Sequence, residues 1–326
     1  MVGVRLGAGL GIALAVGAAV GGWWLPAAAA LAGVLVWLTP RAELPPRMTP
    51  LADGARLMAR LALVTVFASV VAVYLLPQYR VPAAVAVVLV VTVVDAFGLA
   101  LPRFLRGWVV GILLVAAAGL VALCLAISPE RGMGAGPGVT GLFAAAAVLV
   151  PLLERRKPDR WLAGVVVVAA AVSAAALYQL GPLRMALSDA PLDDLLAAVD
   201  GQAITPLLAG VMVIAGVPAA LGALTEARGE LPRPWGSVVC GLLAAAGAVL
   251  LEPGQAMLVA AALAVAELLV RSLLTLVARW RDVRSVVSAA LAITLLAWLP
   301  PMDLLIAVAA IAVGVLLRRP ARTPAR

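Results

Sequence analysis

Few residues in this sequence combine a chemically useful side chain with a place deep inside an apolar run. Glu267 and Arg271 do so within 255–280, four positions apart and therefore on one helix face. Asp95 does so in VVDAFGLALP, about two helical turns from the end of the run 82–101. A carboxylate or guanidinium surrounded by hydrocarbon is costly to hold, so each such residue is a candidate functional group. Glu267 with Arg271 would line a solute pathway or bind a zwitterion; the other reading is a self-neutralised pair packed against another helix. Asp95 would titrate during transport, cap local backbone, or reach the nearby interface.

Other chemistries are thinly represented. The 326 residues include no His, which removes the commonest acid–base group and transition-metal ligand. Cys124 and Cys240 sit alone in apolar runs and read as small buried hydrophobes. Without clustered acids or a ligand set, a membrane-embedded enzyme is the weakest reading, and no metal or cofactor is expected. Glycine carries a second signal. Gly7, Gly9, Gly11, Gly17, Gly21 and Gly22 crowd the first apolar run, and Gly132, Gly134, Gly136, Gly138 and Gly141 precede or open the sixth. Such clusters in matching places of two halves mark interrupted helices around a midplane site. They equally let helices approach closely, as Gly17-x-x-x-Gly21 would.

The elements that position these residues follow from composition. Apolar residues make up 65% of the chain and charged residues 12%, against about 45–50% and 25% in soluble domains. Mean hydropathy is +1.14. The apolar residues fall in runs near the roughly 20 residues that a spanning helix needs, with no ten-residue alternation of the barrel kind. The expected fold class is all-α, a single polytopic transmembrane domain over 1–326. Twelve helices are read at about 6–24, 27–38, 57–76, 82–101, 107–127, 138–153, 161–180, 203–224, 235–251, 255–280, 285–299 and 302–317. The first is read as uncleaved; Gly21–Pro26 is a tight hairpin or a break, since one helix through both runs would be about 50 Å long. With the N-terminus inside, every basic residue except Arg80, Arg131, Arg184 and Arg271 falls in a cytoplasmic segment. This separation favours twelve crossings with both termini cytoplasmic. The net charge of +8 is then topology and attraction to anionic lipid, with no nucleic-acid partner. Between the seventh and eighth helices, Leu192, Leu195, Leu196 and Val199 recur opposite Asp193, Asp194 and Asp200, so 189–200 reads as an amphipathic helix on the outer surface.

Three stretches resemble the amino acid–polyamine–organocation superfamily of permeases, especially bacterial cationic amino acid transporter-like members. They are residues 56–128, including YLLPQYRVPAAVAVVLVVTVVDAFGL; residues 178–210, YQLGPLRMALSDAPLDDLLAAVDGQAITPLLAG; and EARGELPRPWG at 226–236. The resemblance implies two inverted five-helix repeats plus two extra helices. It implies a substrate carboxylate at an unwound first helix, with Gly17, Gly21 and Gly22 as carry-over positions. It also implies an ammonium at a break in the sixth, where Gly138 and Gly141 lie. The chain departs from the family where Gly22 runs directly into Trp23-Trp24 in place of Gly-x-Gly-Ile-Phe, and where the sixth helix is shortened. The resemblance implies an alternating-access transporter of an amino acid or related amine-bearing solute in the plasma membrane; the alternative is a non-transporting relative serving as membrane scaffold or partner subunit. Membrane lipid is the expected surrounding, and the oligomeric state is left open by these patterns.

Overall fold

A computed structural model gives the structure of the protein and describes residues 2–40, 49–99, 102–128, 138–154, 161–229, 231–278 and 282–318. Every regular element among them is helical. In order they are α1 (Val2–Gly21), α2 (Leu25–Leu38), α3 (Thr49–Leu75), α4 (Arg80–Ala96), α5 (Arg103–Ala126), α6 (Gly141–Leu153) and α7 (Trp161–Ala186). There follow α8 (Pro191–Ala198), α9 (Thr205–Arg228), α10 (Trp235–Leu250), α11 (Pro253–Ala278), α12 (Val283–Ala297) and α13 (Pro301–Arg318). Prolines open several of them, where the missing N–H costs nothing: Pro26, Pro191 and Pro206 all sit in first turns.

Eight helical segments among the described residues are long and apolar enough to cross a membrane, and α6, α10 and α12 are shorter apolar helices. α5 and α13 leave most of their apolar side chains uncovered, with Leu125 70% and Val308 66% exposed. In water that surface would be an aggregation liability; on a polytopic helical protein it is the face presented to lipid. The molecule is thus a multi-pass helical membrane protein.

The first run does break at Gly22–Trp24. Gly22 takes φ 51°, a left-handed conformation that glycine adopts without a Cβ clash, and a short 3₁₀ turn follows. Leu25 then folds back onto Gly17, and an ideal Cβ at Gly17 would stand only 2.5 Å from its Cδ1. In one continuous helix those residues would be about 12 Å apart along the axis. α1 and α2 splay from this corner, and α6 and α7 pack on both of them. α3 is the most enclosed long helix and lies against α9, α11, α13 and α4. α4 in turn packs on α10.

Helix bounds depart from the expected ones mainly at charged ends. α3 begins at Thr49 rather than 57, carrying Asp53 and Arg56 on two further turns. Those turns are held by α13, whose Gly314 carbonyl carbon would lie 2.8 Å from a Cβ at Gly54. The helical part of α7 ends near its expected place: Gly181 breaks it at φ 71°, ψ 162°, and a short turn continues to Ala186. α8 forms within 189–200, with Leu192, Leu195 and Leu196 buried, so its apolar face packs onto protein. Gly132, Gly134 and Gly136 lie outside the described residues, as do Arg155, Arg156, Lys157 and Arg160.

Candidate functional site

Charged side chains converge at the end of the bundle that holds the starts of α1, α3 and α5 and the end of α9. Arg60 of α3 is 3% exposed and faces three carboxylates. Its Nη2 is 2.9 Å from Glu154 Oε1, and its Nη1 donates to Glu154 Oε2 at 3.1 Å. Its Nε lies 3.1 Å from Glu226 Oε2, and Nη2 lies 3.8 Å from Glu267 Oε2. Arg5 of α1 donates to the other Glu226 oxygen, and Arg271 Nη2 pairs with Glu267 Oε1 at 2.7 Å. Three arginines thus neutralise three glutamates contributed by α1, α3, the end of α6, α9 and α11. Neutrality is what makes the burial tolerable, because an unpaired ion loses several kcal/mol of solvation that nothing returns.

The Glu267–Arg271 pair expected from spacing is therefore one edge of a larger network. Arg5 and Arg60, which the sequence marks only as cytoplasmic charges, and Glu154 and Glu226, to which it gives no role, complete the network. A usable signal exists for the two glutamates: Glu154 and Glu226 each stand where an apolar run meets arginines, in LLERRK and LTEARG.

Asp95 forms a second, separate centre. It is 1% exposed, and its carboxylate accepts hydrogen bonds from Ser237 Oγ at 2.7 Å, Thr225 Oγ1 at 3.0 Å and Arg228 Nε at 3.0 Å. Arg233 stands 3.7 Å away. One carboxylate on α4 thereby ties down the end of α9 and the start of α10.

The candidate glycines divide by environment. A Cβ on Gly141 would meet the Val20 carbonyl oxygen at 2.1 Å, and one on Gly21 would meet Ala145 Cβ at 2.5 Å. These two residues let α1 and α6 touch backbone to backbone. Gly17 is filled by Leu25, as above, while Gly138 has nothing within 4 Å. α1 runs unbroken from Val2 to Gly21, so the interruption lies at its end, at Gly22, and not at mid-helix.

Two cavities flank this packing. At the basic end a cavity of about 560 Å³ lies between α1, α3, α5, α9 and α13, lined by Arg5, Arg56, Arg106, Arg228 and Arg318 with Asp53 and Glu226. At the opposite end a cavity of about 600 Å³ is lined by Ile12, Val16 and Val20 of α1 and by Ser69 and Val73 of α3. Arg80 and Asp189, among its lining residues, pair at 2.7 Å where both are well exposed. Nearby, Tyr74 accepts a hydrogen bond from the Leu192 N–H at 3.3 Å, which seats α8 on α3. Burial, and then the neighbouring Asp194 charge, hold the Asp193 carboxyl above the ordinary aspartate range. No group of His, Cys, Asp and Glu among the described residues is arranged to hold a metal.

Comparison with protein-family models gives no match, and comparison with curated proteins gives none either.

Proposed function

We propose that the protein is a secondary transporter of an amino acid or related amine-bearing solute, working by alternating access. The observation that carries this reading is the pair of cavities opening at opposite ends of the same two helices, α1 and α3. From Arg5 to Ile12, α1 rises only about 10 Å, and from Leu57 to Ser69, α3 rises about 18 Å. The barrier between is a slab of packed side chains, including buried Leu6, Leu10, Leu61 and Val64. Gly7, Gly9 and Gly11 lie in it, each occupied by a neighbour's side chain: Leu113, Leu152 and Tyr74. A shift of α1 against α3 would open one cavity as it closed the other. The neutral arginine–glutamate network is the closure at the basic end, and Arg80–Asp189 is a weaker one opposite.

Helix pairing supports two five-helix repeats. α1 packs on α6, α2 on α7, α3 on α9 and α4 on α10, which is four of the first five helices against their counterparts. Twelve crossings, with both termini in the cytoplasm of a plasma membrane, fit the distribution of arginines. The test is uptake by proteoliposomes across a panel of amino acids and polyamines. Neither flux nor ligand-induced thermal stabilisation with any member would overturn the proposal.

A specific observation favours a second reading, a non-transporting scaffold or partner subunit. The backbone contact of Gly21 with Gly141 and the unbroken α1 leave no opening at the positions where the resemblance places substrate. A reproducible partner in mild-detergent pull-downs, together with absent flux, would select it.

A further inference from the structure

We infer that the basic cavity and the groove beside it form a binding site for one anionic phospholipid, its phosphate among the arginines and an acyl chain between α5 and α9. The cavity lining carries five arginines against two acids. Arg5 is committed to Glu226 and Arg228 to Asp95, and Arg318 donates to the Ala227 carbonyl at 2.7 Å. Arg106 makes no side-chain hydrogen bond or ion pair among the described residues, and its buried Nε has no acceptor. A guanidinium so placed lacks an anion, and a phosphate oxygen is the acceptor that its fork geometry fits.

The apolar half follows on the same helices. Phe104, Trp108, Ile112 and Val115 of α5 and Leu207 and Val211 of α9 line an open groove of about 780 Å³ with almost no polar wall. Leu207 and Val211 stand on the same face of α9 as Pro218, Gly222 and Thr225, which line the basic cavity, so the groove leads down into it. Gly107 and Gly111 have nothing within 4 Å, which leaves the groove floor free for a chain. Phe104 and Trp108, in edge contact at 6.0 Å and largely exposed, sit at the depth where aromatic residues mark the headgroup level. Basic cavity, aromatic level and apolar groove occur in the order of headgroup, glycerol and chain. The inference is independent of transport.

The test is the thermal midpoint of delipidated protein in a non-ionic detergent, titrated with phosphatidylglycerol or with phosphatidylcholine of the same chains. Phosphatidylglycerol is expected to raise the midpoint and phosphatidylcholine to leave it unchanged. Arg106→Gln should weaken the phosphatidylglycerol response about tenfold, the loss of one charge-assisted contact. Arg106→Lys should retain part of it, and also serves should the Gln variant not fold. Gly111→Leu should weaken the response by filling the groove. Arg80→Gln, the same charge change at the other end, should not. Equal responses to the two lipids, or no effect of either Arg106 variant, would overturn the inference. Glycerol phosphate alone acting as strongly as the lipid would overturn the lipid assignment in favour of a free phosphate.

Discussion

Replacing Arg60 with Met isolates the term that organises the basic end. Met keeps much of the aliphatic volume and removes only the charge and its donors. Glu226 retains Arg5, and Glu267 retains Arg271, but Glu154 loses both of its short contacts, at 2.9 and 3.1 Å, while 2% exposed. Two unit charges about 4 Å apart attract by about 4 kcal/mol at an effective dielectric near 20, and that attraction vanishes. The orphaned carboxylate escapes by binding a proton, which at pH 7 costs about 3.7 kcal/mol, 1.36 for each unit above an ordinary value near 4.3. The predicted destabilisation is therefore about 3–4 kcal/mol, within the range for breaking one side of a buried pair.

Its pH dependence has a definite sign. Native Arg60→Met would carry a proton on Glu154 that its unfolded chain releases above about pH 4.3. Stability relative to the parent should then fall as pH rises from there to 7, by about 1.4 kcal/mol per unit. Adding Glu154→Gln removes the orphaned charge and should recover about 2 kcal/mol or more. The assay is reversible unfolding in mixed micelles, followed by tryptophan fluorescence at pH 5 and pH 7 for both single variants and the double variant. A loss below about 1 kcal/mol for Arg60→Met, or additive single effects, would show that the ions are solvated and would refute the network's role.

Other variants test the remaining geometry. Asp95→Asn keeps an acceptor for Thr225 but loses the charge facing Arg228, so it should cost about 2–3 kcal/mol in the same unfolding assay. Gly141→Ala forces a Cβ to within 2.1 Å of the Val20 carbonyl oxygen and should cost about 1–3 kcal/mol by driving α1 from α6. Gly138→Ala, in open space, should stay within about 0.5 kcal/mol. Asp193→Asn removes a carboxyl whose folded value is raised, so ionisation opposes folding above the ordinary aspartate range. The variant should exceed the parent by about 0.5 kcal/mol at pH 7, small because that side chain is partly solvated, and equal it at pH 3, as chemical unfolding at the two pH values would show.

Much of the fold is legible in the sequence because the bilayer and the backbone leave few alternatives. Long Ala-, Val- and Leu-rich runs in a chain with 12% charged residues can satisfy their own hydrogen bonds only as helices, and helices are what form. The break at Gly22–Trp24, the end of regular α7 at Gly181 and the amphipathic α8 are likewise local, set by glycine φ freedom and by apolar periodicity. The i, i+4 spacing of Glu267 and Arg271 places them on one face, and they pair. Tertiary structure alone decided what those charges serve. Arg60 pairs with Glu154, 94 positions away, and Asp95 accepts from Ser237, 142 positions away. No local rule links such residues, because their proximity comes from which helices pack together. For the same reason, the charges near helix ends that hydropathy assigns to water lie inside the protein, where a partner from another helix replaces the solvent.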